Sequence, residues 1–318
     1  ERDMFNFSNY SSLTDTCRSG ASRQQAPTAN VREPESLLSR LAPNELNSFV
    51  ANNIEPDTGY NETCISVVSR LCGFMKNNFP SSLQPSEIIK SGSLGKGTAV
   101  KGKSDADLVV FLSSSEYPTI SDIRHNMQYI LSEMKTFLND EVCTYEGKTL
   151  HAVKVSVEVG EDKIDVDILP STDILKQYTD KEIYNQIKYA SDVERSFYSA
   201  ALAPRQLEFV SCRPTKLKTL IRLVKYWRKT AFEESTDFTR LPTSYPLELI
   251  VIGEWWNAGK PTDFDLQKGF YNVLKALENY QNIHHQWSIH YEKEDIPSDL
   301  LSKPYVIDPA NPFNDVMT

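Results

Sequence analysis

A chain of 318 residues with 34 Lys+Arg against 43 Asp+Glu has a formal charge of -9 and a mean hydropathy of -0.43. With 40% hydrophobic and 24% charged residues it has the makeup of a globular protein able to bury one large core or two smaller ones, which excludes a wholly disordered chain. No apolar run reaches the roughly 18 residues of a membrane span, and the first residues lack the apolar segment of a signal peptide, so the expectation is a cytoplasmic protein without a membrane partner. At face value the acidic charge also argues against nucleic acid, whose phosphates are bound by Lys and Arg. The five cysteines are odd in number and widely spaced with no CxxC pair, which argues against a disulfide framework or a structural zinc site. His284, His285 and His290 cluster in sequence but have no cysteine nearby.

Residues 1–34 are rich in Ser, Asn, Arg and Gln without apolar periodicity, and are expected to be a flexible extension. Helical spacing then sets in, first through Leu37, Leu38, Leu41, Leu46 and Phe49, then through Ile65, Val68, Leu71, Cys72 and Met75. Ile88 and Ile89 read as a strand feeding the turn Ser91-Gly92-Ser93-Leu94-Gly95-Lys96-Gly97-Thr98. The continuous apolar run Leu108 to Leu112 has the length of a buried central strand. A polar helix is expected around 121–139, a half-buried strand where Val153, Val155, Val157 and Val159 alternate with Lys154, Ser156, Glu158 and Gly160, and a further strand from Ile164 to Leu169 that stops at Pro170. Helices are expected at 181–201, 214–230, 245–257 and 264–280. The change of class places a boundary near 175, dividing a catalytic lobe with N-terminal helices at 35–175 from a helical lobe at 176–318.

The chemistry concentrates where the apolar strand begins. Asp105 and Asp107 are two apart in a strand and therefore share one face, so their charges repel. A divalent cation such as Mg²⁺ offsets that repulsion, since carboxylate oxygens suit it and leave coordination positions for substrate phosphates. Taken alone, this DxD is also what a solvated turn before a strand looks like. Asp165 and Asp167 alternate with Ile164, Val166 and Ile168 and could supply a third ligand from a second strand; period 2 does not choose between them. Two carboxylates from one strand and one from another can hold a pair of metals for in-line phosphoryl displacement. Just before them, Gly92 and Ser93 allow backbone N–H groups to approach phosphate oxygens, and Lys96 adds a mobile positive charge. Lys96 follows the first glycine too soon for a Walker A loop.

This order of strand, Gly-Ser, hydrophobic-flanked DxD and distant Asp resembles the polymerase-beta-type nucleotidyltransferases. The words Ser91 to Thr98, Lys103 to Leu112, Arg213 to Lys225 and Ile307-Asp308-Pro309-Ala310-Asn311-Pro312 resemble more narrowly the 2'-5'-oligoadenylate synthetase family, over roughly Leu41 to Pro312. The resemblance implies a bilobed α+β fold, a polymerase-beta-like mixed sheet with a C-terminal helical domain. It implies a template-independent enzyme that condenses ATP into 2'-5'-linked adenylates with release of pyrophosphate, uses two Mg²⁺ ions with Mn²⁺ as a substitute, and responds to double-stranded RNA. In that family the third carboxylate precedes a Val/Ile-Leu-Pro, which selects Asp167.

Between 213 and 229 lie seven Lys and Arg and no acidic residue, a local inversion of the chain's sign. On a helix, Lys218, Arg222, Lys225 and Lys229 fall on one stripe while Leu217, Leu220, Ile221, Leu223, Val224 and Trp227 form the buried face; the plain alternative is a solvated charged face over a core helix. The resemblance carries Arg222 and Lys225 onto donor-triphosphate contacts and Tyr245 onto a nucleotide-site tyrosine, with Ser244 where vertebrate members carry glutamine. It carries Lys76, Lys90, Thr215 and Lys216 onto RNA contacts. Two rivals remain at this stage: a cyclic-dinucleotide synthase of the same superfamily, and a non-catalytic RNA-sensing module that uses the basic helix for binding alone.

Overall fold

The computed structural model describes residues 38, 41–102, 106–138, 142–159, 162–231 and 242–318. The expected extension at 1–34 and Asp105 lie outside the described residues.

After a 3-10 turn at Pro43–Glu45, helix α1 covers Leu46–Asn53 and α2 covers Thr58–Asn78. Among the described residues the apolar spacing does not run unbroken into α1: the residue before a proline is sterically pushed out of the helical region, and Ala42, before Pro43, is extended at ψ 151°. Strand β1 (Pro85–Ser91) runs into the short helix α3 (Gly92–Lys96), and the expected apolar strand follows as β2 (Ala106–Leu112). Helix α4 (Ile120–Phe137) is closed by a reciprocal cap: Asp122 N–H donates to Thr119 Oγ1 at 3.1 Å, and Thr119 N–H to Asp122 Oδ2 at 3.0 Å. Strands β3 (Thr144–Lys148), β4 (Val153–Val159) and β5 (Asp162–Ser171) complete a five-stranded sheet in the order β1-β2-β5-β4-β3. Of its pairs only β2–β5 is parallel, which makes the sheet mixed.

Strand β5 does not stop at Pro170. That residue pairs with Val110 of β2 but lies past Ile168, the last partner of β4, so one side of the strand has no ladder left for a proline to break. Strand β3 escaped the sequence because it alternates polar residues along a partly exposed edge.

The sheet is covered on both faces, which is why β2 reads as an unbroken apolar run. Leu108, Val110 and Leu112 face the main core with residues of α2 and α4, whereas Val109 and Phe111 pack with Ala203, Ile89 and Leu169 on the other face.

After the short helix α5 (Ile174–Gln177), the long helix expected at 181–201 is two helices, α6 (Asp180–Tyr189) and α7 (Asp192–Ala201). Ser191 divides them by capping the second, its Oγ accepting the Glu194 N–H at 3.3 Å. Helix α8 (Ala203–Ser211) was not anticipated; α9 (Thr215–Ala231), α10 (Ser244–Asn257) and α11 (Leu266–Glu278) follow the expected pattern. The C-terminal half is not all helix: β6 (His284–His285), β7 (Tyr305–Asp308) and β8 (Asn311–Asp315) form a small second sheet. A continuous apolar core joins the first helices to Val306, Ile307 and Ala310 near the end of the chain.

Candidate active site

Parallel pairing of β2 and β5 sets Asp107 directly opposite Asp167. Side-chain alternation puts Asp107 on the face of Val109 and Asp167 on that of Leu169, away from the main core. Asp165 is exposed and faces Ser156 of β4, while the described part of β2 begins at Ala106, opposite Val166. The register thus brings Asp167, not Asp165, beside Asp107. On the other side of Asp167 stands Lys154 of β4, its Nζ 3.0 Å from Asp167 Oδ2. The two side chains form an ion pair that is 47% and 30% exposed, and the carboxylates of Asp107 and Asp167 are hard oxygen donors of the kind a divalent metal takes.

The turn after β1 is shaped around the same carboxylate. Gly92 has φ +62°, and a Cβ there would fall 1.8 Å from Asp107 Oδ2, so only glycine lets Asp107 lie against the turn. From Gly92 the backbone winds into α3, which Gly97 ends at φ +70° by donating its N–H back to the carbonyls of Ser93 and Leu94.

Helices α9 and α10 close this space from the opposite side. The result is a cleft of about 240 Å³ whose lining includes Gly92, Ser93, Lys96, Asp107, Lys225 and Tyr245. Arg222 does not line it. Its guanidinium donates to the carbonyls of Gly97 and Ala99 at 2.7 and 3.1 Å, tying α9 to the end of α3, and burial lowers its pKa. A larger cavity of about 650 Å³ between α10 and α11 contains none of the expected site residues.

Glu248 is the residue that the sequence did not single out. It is 2% exposed; its Oε1 accepts from Thr98 Oγ1 at 2.6 Å and Lys225 Nζ at 3.0 Å, and its Oε2 from Lys96 Nζ at 3.1 Å. Burial pushes the carboxyl up, but Lys96, Lys225 and the hydrogen bonds outweigh it and hold its pKa below the ordinary value. The available signal was a lone acid inside the apolar run Leu247 to Ile252. Lys96 also lies over the Tyr245 ring, 4.0 Å from its centroid. Burial drives the Tyr245 hydroxyl well above its usual range, so it stays protonated.

The four expected RNA contacts fall in two groups. Lys76 is exposed in the last turn of α2, and Lys90 of β1 donates to Ser69 Oγ of α2 at 3.1 Å. Thr215 is exposed at the first position of α9, and Lys216 beside it pairs with Asp263 and lies 5.7 Å from the Phe264 ring centroid.

Known proteins resemble this chain in fold and in sequence. The structure of CdnC from E. coli MS115-1 with ATP superposes with a TM-score of 0.55 at 19% identity, covering 87% of this chain and 84% of that one, a likeness of fold. The family model described as "Second Messenger Oligonucleotide or Dinucleotide Synthetase domain" matches residues 42–197, and "2'-5'-oligoadenylate synthetase 1, domain 2, C-terminus" matches 177–318. The fold is therefore the mixed-sheet nucleotidyltransferase fold with a following helical region.

Rat 2'-5'-oligoadenylate synthase 1A is 30% identical over 306 residues, 86% of this chain and 84% of its own length. Mouse 2'-5'-oligoadenylate synthase 3 is 30% identical over 308 residues and human 2'-5'-oligoadenylate synthase 2 is 31% identical over 298; this chain spans 26% and 41% of their lengths. The chain belongs to the 2'-5'-oligoadenylate synthase family.

Proposed function

We propose that the protein is a metal-dependent, template-independent nucleotidyltransferase of the cytoplasm that condenses ATP into 2'-5'-linked oligoadenylates, releases pyrophosphate, and is stimulated by double-stranded RNA in innate antiviral defence. The observation that supports it most is Asp107, in register with Asp167 of the next strand, lining a cleft beside a glycine turn with Ser93, Lys96 and Lys225. We assign 35–175 to the catalytic lobe, 176–318 to the helical lobe and 1–34 to an extension.

In this reading Asp105, Asp107 and Asp167 hold two Mg²⁺ ions, with Mn²⁺ as a substitute. Bound metal supplies charge neutralisation of the phosphates and lowers the pKa of a coordinated hydroxyl. Gly92 keeps the Asp107 carboxylate against the turn, and Ser93 offers a hydroxyl to the donor triphosphate. Lys96 and Lys225 carry fixed positive charge where pyrophosphate departs, aimed in advance by Glu248 so that little reorganisation accompanies reaction. Arg222 acts one layer back, holding α3 through its carbonyls. Tyr245 forms the wall against which the nucleotide rests. Lys76, Lys90, Thr215 and Lys216 meet duplex RNA through phosphate and 2'-hydroxyl contacts rather than base sequence.

Pyrophosphate release from Mg-ATP by the wild type, lost in Asp107→Asn with the circular dichroism spectrum unchanged, is the expected result. RNA association without pyrophosphate release would instead identify a non-catalytic sensor. The match to a domain described for oligonucleotide or dinucleotide synthesis supports a second reading, a cyclic-dinucleotide synthase; a product with no free end distinguishes it.

A further inference from the structure

The Ile307-Asp308-Pro309 word is distinctive in sequence, yet the chemistry proposed above does not use its aspartate. Asp308 ends β7 and is 0% exposed. A buried carboxylate is costly unless its lone pairs are occupied, and here four donors reach it. Tyr245 Oη at 3.3 Å and the Ala310 N–H at 2.8 Å donate to Oδ1, while Gln206 Nε2 at 2.8 Å and Asn314 Nδ2 at 3.3 Å donate to Oδ2. Three of these donors come from α8, from the turn after β7 and from β8, and they orient the carboxylate. The fourth comes from the nucleotide cleft.

Tyr245 is the second residue of α10, in the first turn, where backbone hydrogen bonding is weakest and fraying begins. Its ring lines the cleft with Ser93 and Asp107 and carries the Lys96 ammonium on its face. Its hydroxyl points the other way, into Asp308. The ring is thus fixed at its far end by a hydrogen bond to a carboxyl group that is itself held in place, which pre-organises its face for a ligand.

We propose that Asp308 is a positioning residue for the nucleotide: acting through the Tyr245 hydroxyl, it sets the aromatic wall and the first turn of α10 against which the nucleoside of ATP docks. This rests on the nucleotide reading of the cleft. Loss of the bond would weaken ATP binding more than it slows the chemical step, because Lys225 is held by Glu248, and Lys96, although it lies over the Tyr245 ring, keeps its own bond to Glu248.

The test measures Mg-ATP affinity by titration calorimetry and KM and kcat by pyrophosphate release, for wild type, Tyr245→Phe, Asp308→Asn and the double variant. Tyr245→Phe keeps the ring and removes only the hydroxyl, so it remains informative if Asp308→Asn folds poorly. Each single variant is expected to weaken ATP binding and raise KM by up to roughly tenfold, the scale of one intramolecular hydrogen bond, with a smaller change in kcat. The double variant is expected to be no worse than the weaker-binding single variant. A purely structural Asp308 would lower thermal stability with KM unchanged, and its effect would multiply with that of Tyr245→Phe; either result overturns the proposal. If the wild type binds Mg-ATP but makes no product, the function proposed above fails while the affinity comparison still decides the role of Asp308. A wild type that binds no ATP overturns both.

Discussion

The start and the middle of α9 carry the same kind of residue in opposite settings. Lys225, in its middle, is 4% exposed and donates to Glu248 and to the Thr98 carbonyl; Lys216, at its start, is partly exposed and pairs with Asp263, itself on the surface. Buried lysine without a partner is costly, so Glu248 is required by the structure as much as by any reaction. Exposed pairs of the second kind contribute about 0–1 kcal/mol and are readily exchanged for another anion. One basic helix in an acidic chain therefore holds a lysine fixed in advance by a buried carboxylate and a lysine whose surface partner is cheaply exchanged.

Breaking the centre should matter most. Asp107→Asn, or Asp167→Asn, is expected to reduce turnover on the order of a thousandfold, the consequence of losing several kcal/mol of charge stabilisation, with the fold intact by circular dichroism. Glu248→Ala leaves Lys96 and Lys225 without their shared carboxylate and should destabilise the protein by about 3–5 kcal/mol in chemical denaturation. Because the folded chain holds the Glu248 carboxyl below its ordinary value of 4.5, its contribution is complete at neutral pH and lost as pH falls through the lower folded value. The stability gap between wild type and Glu248→Gln should accordingly be constant near neutrality and close only below pH 4.5.

The start of the helix should behave differently. Lys90→Glu with Lys216→Glu should shift stability by no more than about 1 kcal/mol. RNA stimulation should weaken and the slope of log affinity against log salt should flatten by about one unit per lost phosphate contact. Full RNA stimulation in that double variant would sink the assignment of the surface.

Much of this was legible in the residues. Unbroken apolarity marked β2 as covered on both faces, and alternation marked β4. The glycine at 92 was visible as a special position, although the close neighbour that requires it proved to be Asp107. What stayed hidden depends on partners distant in sequence. The apolar run around Glu248 marks it as buried but does not name its partners, two lysines 152 and 23 residues away. Arg222 reads as part of the phosphate stripe until the fold turns it onto the Gly97 and Ala99 carbonyls. Strand β3 and the small C-terminal sheet are short or polar-edged, with little pattern of their own to detect. Net charge does not show where positive charge gathers, because it averages the acids over a helix in which none occur from 213 to 229.

The most direct measurement is to incubate the protein with ATP and Mg²⁺, with and without long duplex RNA, and to determine the linkage and length of the product. A linear adenylate series that resists a nuclease specific for 3'-5' bonds, and that grows faster when duplex RNA is present, is the predicted result. A cyclic product, a 3'-5'-linked product, or no product in either condition would contradict it.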